Sequence, residues 1–146
     1  MDAVASLLFG KPNLAKYAHL MLSSAIMEAE LIRTYRFAAA HSLPNTPPGH
    51  KCGQMHGHSY RVDIHVTGQV DEKTGWVMDF AEINRAVEPI IDKLDHQTLN
   101  NLPGLANSTS EMIAQYLWNA IAPLLPQLTA VTIWESDKSR CIYRGF

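Results

Sequence analysis

The stretch of sequence that decides the fold is residues 56–68, HGHSYRVDIHVTG. Its apolar and aromatic residues recur at every second position, which is the period of a β-strand. Tyr60 and Ile64 therefore share one face with the histidines that precede them, whereas Arg61 and Asp63 lie on the other face. The stretch predicts a strand with one buried face and one polar face, and the polar face meets either solvent or the interior of an oligomeric barrel.

Further strands and two helices are predicted around this strand. Residues 29–41 form an extended segment before it, and residues 128–135 and 140–145 predict two strands at the end of the chain. Asp79 and Glu82 have the spacing of a capping box, and apolar residues recur at helical spacing after Asp79 and again after Ser108. The first helical stripe comprises Phe80, Ile83, Val87, Ile90, Ile91 and Leu94. The order ββααββ predicts an α+β fold, with an antiparallel four-stranded sheet and both helices on one face.

Composition is typical of a globular domain of ordinary size. The chain has 146 residues, of which 47% are hydrophobic, and a net charge of -2. No basic run suits a nucleic acid, and no apolar run reaches the roughly 20 residues of a membrane span. Two cysteines are too few for a disulfide scaffold, and the N-terminus lacks the basic segment of a signal peptide. We therefore expect a cytoplasmic protein with reduced thiols.

Residues 1–27 differ in character from the rest of the chain. They are rich in alanine and leucine, and we expect an N-terminal extension that is partly helical, followed by one domain over residues 28–146. Met27 stands directly before the first predicted strand. Residues 1–26 are therefore either an appended helix or the product of an upstream start.

Three histidines form the clearest candidate for a chemical site. His56 and His58 are two positions apart on one strand, so their side chains face the same way. His41 ends the preceding strand, and antiparallel pairing through the intervening loop brings it beside them. Imidazole nitrogens are typical zinc ligands, and three protein ligands leave a fourth position open, as in catalytic zinc sites.

Cys52, four residues before His56, has two interpretations. Its sulfur would complete a closed, four-ligand structural zinc site. Alternatively, its thiolate acts as a base, favoured by the positive charge of the zinc ion or of Lys51. Substitution by alanine distinguishes them, because only a ligand is needed for zinc binding.

Two acidic residues are further candidates. Asp95 lies near a helix C-terminus, where a carboxylate opposes the helix dipole, so we interpret it as orienting His96 for proton transfer. The alternative is a polar helix stop. Glu135 lies on the apolar face of a predicted strand, where a buried carboxylate needs a partner. That partner is either a planar ligand with two adjacent N–H donors, such as the edge of a pterin or a guanine, or Arg140 or Arg144.

The segment from Ser108 to Glu111 has the spacing of a capping box, with Ser108 at the N-cap of the second helix. Local structure alone accounts for this spacing. Glu111 still has a carboxylate that it can present to a ligand.

Several stretches, taken in order, resemble the 6-pyruvoyl-tetrahydropterin synthase family, and within it the bacterial 6-carboxytetrahydropterin synthases of queuosine biosynthesis. They lie between Arg33 and Gly145 and read FAAAHSLP, GHKCGQMHGHS, TGWVMDFAEI, LDHQTLN, PGLANSTSE and CIYRG. The resemblance implies the tunnelling fold (T-fold), whose subunits assemble into a barrel with active sites at their interfaces. It therefore implies a homo-oligomer built from trimers, such as a hexamer.

The resemblance also implies a role for each candidate residue. His41, His56 and His58 would bind zinc, and Cys52 would accept a proton. Asp95 and His96 would be a proton-handling pair. Glu135 would anchor the pterin ring. The segment that also binds the pterin is matched by Thr109, Ser110 and Glu111. The family often has proline at the position of Ser108, which preserves the helix start.

The activity that the resemblance implies is conversion of 7,8-dihydroneopterin triphosphate to 6-carboxy-5,6,7,8-tetrahydropterin, acetaldehyde and triphosphate. The nearest alternative is 6-pyruvoyltetrahydropterin formation from the same substrate. A non-catalytic zinc module predicts a closed four-ligand site and no turnover. A metal-free pterin aldolase of the same fold predicts full activity after chelation.

Overall fold

A computed structural model describes residues 26–146 of the chain. The predicted N-terminal extension lies outside the described residues, apart from its last two positions. The elements are β1 (Glu28–His41), β2 (His56–Gln69), α1 (Phe80–Ile91), α2 (Ser110–Ile121), β3 (Leu128–Ser136) and β4 (Ser139–Tyr143). The predicted order ββααββ is confirmed. Within the described part of the chain, no helix is long and apolar enough to cross a membrane.

The four strands form one antiparallel sheet in the order β1-β2-β3-β4. β1 and β2 pair along their whole length, from Glu28 opposite Gln69 to His41 opposite His56. This long register places the last residue of β1 directly beside the first residue of β2. The loop between them, residues 42–55, therefore lies at one end of the sheet, next to the three histidines.

Both helices cover the same face of the sheet, as the alternation in β2 predicts. Tyr60, Val62 and Ile64 are completely buried on that face, where Ile83 of α1 and Leu117 of α2 are also completely buried. Full burial of an aliphatic side chain of this size stabilises a fold by about 1.5–3 kcal/mol. The apolar face of β2 is therefore the centre of the core.

The predicted stripe of the first helix is correct except at its first position. Phe80 is 45% exposed, because it begins α1 and lies beyond the area that the sheet covers. The guanidinium of Arg33 lies 5.7 Å from the centre of its ring. The aromatic side chain thus contacts a cation at the surface instead of joining the core.

The two helix starts differ in how well the sequence predicted them. Asp79 caps α1, since its carboxylate accepts from the N–H of Ala81 at 2.9 Å. The predicted cap of α2 is wrong, because Thr109 and not Ser108 is the N-cap and accepts from the N–H of Met112. Ser108 is completely buried and its main chain contacts His41. This tertiary contact moves the helix start one residue along.

The face of the sheet opposite the helices is polar, as predicted. Asp63 accepts hydrogen bonds from the Thr34 hydroxyl and the Trp134 indole, both at 2.7 Å. The guanidinium carbon of Arg61 lies 3.7 Å from the centre of the Trp134 ring. This face has its own network of charged and aromatic contacts and takes no part in the apolar core.

Candidate metal centre and active site

The three histidines meet where β1 ends and β2 begins. His41 and His56 are directly paired across the two strands, and His58 follows two positions along β2. All three side chains point to the helix-covered face. Their ligand nitrogens lie within 4.8 Å of one another, so the three residues can hold a metal ion. The predicted convergence of the three histidines is confirmed.

Main-chain carbonyls orient two of the three rings. The Nδ1 of His41 donates to the carbonyl of Ser108 at 2.8 Å, and the Nδ1 of His56 donates to the carbonyl of Gln54 at 2.8 Å. A carbonyl can only accept, so the proton of each ring is on Nδ1 and the lone pair is on Nε2. Both lone pairs then face the shared centre, as in histidines that bind a metal.

The contact between these two rings fits a bound cation. The Nε2 atoms of His41 and His56 are 3.1 Å apart. Two lone pairs repel at this distance unless a proton or a cation lies between them. Nitrogen ligands of a tetrahedral zinc ion are separated by roughly 3.3 Å, given zinc–nitrogen bonds of about 2.0–2.1 Å. The donor set and its spacing therefore suit a metal with a preference for imidazole.

Burial keeps His41 in its metal-binding form. Its side chain is only 1% exposed, and this burial lowers its pKa, although the hydrogen bond to Ser108 acts in the opposite direction. The neighbouring rings of His56 and His58 lower the pKa further. A neutral imidazole is the form that binds a metal ion, so this ring needs little deprotonation before it can bind.

Tyr60 lies beneath the histidines and was missed as a site residue by the sequence analysis. Its hydroxyl is 3.3 Å from the Nδ1 of His41, and its ring stacks on Phe37 with centres 4.7 Å apart. Burial raises the pKa of this phenol, and the charge of Glu135 raises it further. Tyr60 therefore stays protonated, and its buried side chain closes the site on the side of the apolar core. The apolar alternation of β2 predicts that Tyr60 is buried, but it does not predict the contact with His41.

A cavity of about 410 Å³ opens above the three histidines, a size typical of small-molecule sites. Cys52, Lys51 and Glu135 line it together with Leu43 and the histidines. Among residues 26–146, the cluster of possible metal ligands comprises the three histidines, and the Cys52 thiol lies outside it. The cavity thus combines a three-nitrogen centre with a thiol, a cation and a carboxylate.

Glu135 enters this cavity from β3, where it is half-buried and less enclosed than the sequence predicted. The alternative ion pairs with Arg140 and Arg144 do not form in the described part of the chain, where Glu135 has no salt bridge. The guanidinium of Arg140 lies instead 4.5 Å from the ring of Trp134. The Glu135 carboxylate is therefore available to a ligand.

Asp95 and His96 form a hydrogen-bonded pair in the segment after α1, which is bonded to the edge strand β1. The Nδ1 of His96 is 2.8 Å from one oxygen of Asp95, and the other oxygen accepts from the N–H of Ala38 at 2.8 Å. The bond from Ala38 lowers the pKa of Asp95 most, followed by the bond from His96. The predicted alternative of a simple helix stop does not account for these contacts.

The pair does not share the cavity of Cys52. His96 is 82% exposed and lines a second cavity of about 470 Å³, with Gly57, Ser59 and residues 38–40. His58 borders both cavities. Within one chain, the predicted catalytic residues are therefore divided between two neighbouring cavities.

The other predicted pterin-binding residues lie at the start of α2. The Thr109 hydroxyl caps the helix, Ser110 is its first residue, and Glu111 is exposed. The cavity of the three histidines is not lined by any of them. Their nearest link to the metal centre is through Ser108, whose carbonyl orients His41.

Comparison with known proteins identifies the family. The family model described as 6-pyruvoyl tetrahydropterin synthase matches residues 30–145. The chain belongs to this family. It is 33% identical over 134 residues to human 6-pyruvoyl tetrahydrobiopterin synthase, with 81% of this chain and 92% of that protein covered. It is also 33% identical over 119 residues to 6-carboxy-5,6,7,8-tetrahydropterin synthase of Synechocystis, with 77% of this chain and 91% of that protein covered.

The solved structures agree with this family membership. The structure of Caenorhabditis elegans 6-pyruvoyl tetrahydropterin synthase matches with a TM-score of 0.77 and 27% identity, covering 83% of this chain and 98% of that one. The predicted T-fold is confirmed. The relatives carry the names of two different tetrahydropterin synthases, so membership of the family leaves both products open.

Proposed function

We propose that the protein is a zinc-dependent 6-carboxy-5,6,7,8-tetrahydropterin synthase of queuosine biosynthesis. It converts 7,8-dihydroneopterin triphosphate and water to 6-carboxy-5,6,7,8-tetrahydropterin, acetaldehyde and triphosphate. The observation that carries this proposal is the cavity in which three oriented histidines meet the Cys52 thiol and the unpaired Glu135 carboxylate. Each is a group that the reaction requires.

His41, His56 and His58 would hold the zinc ion. When bound, zinc supplies Lewis acidity at the oxygens of the substrate side chain. The grouping of ligands without Cys52 favours an open fourth position, which a catalytic site needs and a closed structural site lacks.

Cys52 would remove a proton from the substrate side chain. Its thiol lines the same cavity as the histidines, and the Lys51 side chain beside it is positively charged. Lys51 is also within reach of an anionic substrate entering the cavity.

Glu135 would anchor the pterin ring. A pterin presents two adjacent N–H donors, and a carboxylate can accept both at once. Such a bidentate contact fixes the ring in its plane and directs the side chain toward the histidines. Thr109, Ser110 and Glu111 would complete the ring site from the start of α2, next to Ser108.

Asp95 and His96 would return protons during triphosphate loss and carbon–carbon cleavage. Since His96 lines a different cavity from Cys52 within one chain, we infer that His96 of a neighbouring copy reaches the Cys52 cavity. A homo-oligomeric barrel built from trimers supplies such an interface, and the polar face of the sheet would line its interior. His96 is 82% exposed beside residues 38–40 of β1, which is consistent with an interface at this position.

Product analysis tests the proposal. The purified protein is incubated with 7,8-dihydroneopterin triphosphate, and the pterin product is identified by mass spectrometry while acetaldehyde is trapped as a hydrazone. We expect acetaldehyde and the 6-carboxy product, loss of both after chelation, and recovery on addition of zinc. Full activity after chelation would exclude the role of zinc.

The second candidate activity is 6-pyruvoyltetrahydropterin formation, which the names of several relatives favour. It eliminates triphosphate from the same substrate but leaves the carbon side chain intact. The same incubation distinguishes the two, because a pyruvoyl product without acetaldehyde would overturn the 6-carboxy assignment.

A further inference from the structure

The Cys52 turn has a side-chain contact that the proposed mechanism does not use. Cys52 is the middle residue of a short 3-10 turn, Lys51–Gly53. His50 precedes this turn in an extended conformation, and its Nδ1 accepts from the N–H of Cys52 at 3.1 Å. The imidazole thus acts on the turn as the side chain of an N-cap acts on a helix.

The other bonds of this turn are made by the main chain. The carbonyl of Cys52 accepts from the N–H of Leu43 at 2.8 Å, and the N–H of Gly53 donates to the carbonyl of His50 at 3.0 Å. In the described part of the chain, the His50 ring makes the side-chain hydrogen bond to the Cys52 peptide. The main-chain N–H and the carbonyl of Cys52 are therefore both hydrogen-bonded. Substitution of His50 removes the bond to the N–H.

The same turn also contacts the metal centre. The N–H of Gln54 donates to the carbonyl of Lys51 at 3.1 Å, and the carbonyl of Gln54 accepts from the ring of His56. A change in the turn therefore alters the position of the thiol relative to His56. A reaction that depends on both groups is sensitive to this distance.

We propose that His50 is a positioning residue that holds the Cys52 thiol in place relative to the metal centre. The inference rests on the proposed function, in which Cys52 takes a proton from the substrate. The bond from the Cys52 N–H needs a hydrogen-bond acceptor at position 50, but that acceptor does not have to be an imidazole. Asparagine provides one, because its side-chain oxygen commonly accepts from the N–H two residues later.

Turnover of His50→Ala and His50→Asn tests this role. In His50→Ala we expect kcat to fall about five-fold, because the thiol is no longer held in its reactive position, with KM within about two-fold of wild type. His50→Asn should recover most of kcat, and both variants should bind zinc as the wild type does. Asn45→Ala, an exposed position in the same loop, is the matched control and should leave kcat unchanged.

A second measurement does not depend on turnover. The rate of alkylation of Cys52 by iodoacetamide is followed by peptide mass spectrometry, with Cys141 of the same sample as an internal reference. Release of the turn should raise the Cys52 rate about three-fold or more in His50→Ala and not in His50→Asn.

The two measurements separate this inference from the proposed function. A wild-type protein that does not turn over the substrate contradicts the function, while the alkylation rates still test the contact. Wild-type kcat and an unchanged alkylation rate in His50→Ala would overturn the role of His50. The same holds if His50→Asn behaves like His50→Ala although both are folded.

Discussion

The two cavities on either side of His58 are built differently. The first is lined by Cys52 from a loop and Glu135 from the end of β3, and the ring of its histidine His41 is buried and hydrogen-bonded to the main chain. The second contains His96, which is exposed, pairs with Asp95 and donates its main-chain N–H to β1. Within one chain, the three histidines and the Cys52 thiol thus lie in one cavity, and His96 lies in the other.

The proposed reaction needs groups from both cavities, so we expect the site of a single chain to be incomplete. His96 has an unusual left-handed backbone, with φ of 57°, and its N–H donates to the carbonyl of Ala38 at 2.6 Å. Such a conformation persists only where surrounding contacts maintain it. A well-ordered but exposed histidine on a sheet edge suits a group that acts on a neighbouring copy. The following predictions test this division.

The largest effect is expected from His41→Ala. Loss of one ligand of a zinc ion should weaken zinc binding by about 100-fold and abolish turnover, because the binding free energy is shared among few ligands. The zinc content after dialysis measures the loss of zinc binding, and acetaldehyde release measures the loss of turnover. His65→Ala is the control, since His65 lies on the opposite face of β2 and contacts Glu30 and Thr132. Retention of zinc by His41→Ala would refute the assignment of the centre.

Cys52→Ala should keep its zinc and lose turnover by about 10²- to 10⁴-fold, the range typical for removal of a general base. The reason is that the thiol lines the cavity but lies outside the ligand cluster. Cys141→Ala is the matched control, because that thiol is half-buried on β4. If Cys52→Ala loses its zinc, Cys52 is a ligand and the closed structural site is correct.

Mixing two inactive variants tests the division between the cavities directly. Cys52→Ala and His96→Ala are combined at equal amounts, dissociated and reassembled. If each site takes its thiol and its imidazole from different copies, about a quarter of the sites contain both, and about a quarter of wild-type activity returns. If both groups act within one chain, the mixture stays inactive. Each variant reassembled alone is the control.

Asp95→Asn should have the smallest effect, with kcat lowered about ten-fold because His96 loses its charged partner. The pKa of Asp95 is below its ordinary value of 3.8, so its contribution to stability is complete near neutral pH. That contribution is lost as the pH falls through the lowered pKa. The difference in Tm between wild type and variant should therefore shrink at acidic pH.

Asp71→Asn is the control for this variant. Hydrogen bonds from Thr74 and from the Lys73 N–H lower the pKa of Asp71 as well, in a turn away from both cavities. It should show the same dependence of Tm on pH with unchanged kcat. An unchanged kcat in Asp95→Asn would remove Asp95 from the mechanism.

Prediction from sequence worked best where a side chain's position follows from local periodicity. Successive side chains of a strand alternate between faces, so His56 and His58 had to share the face of Tyr60. The cap at Asp79 was equally local. The cap of α2 did not follow from local sequence, because serine and threonine are both good N-caps. Burial of Ser108 against His41 decided between them.

Contacts made by main-chain atoms could not be predicted. The carbonyls of Ser108 and Gln54 orient two of the histidines, yet every residue has a carbonyl, so nothing in the side chains signals this role. The bond between Asp95 and the N–H of Ala38 joins residues 57 positions apart. Such a contact depends on the edge strand and the end of α1 meeting in space.

The sequence by itself determined the alternation of β2, the order ββααββ and the convergence of the three histidines, because these follow from the short-range geometry of strands and helices. Only the tertiary structure decided that Cys52 and Glu135 share a cavity while His96, paired with Asp95, lines another. A cavity is formed by segments distant in the chain. Its lining therefore depends on how those segments pack, which local periodicity does not specify.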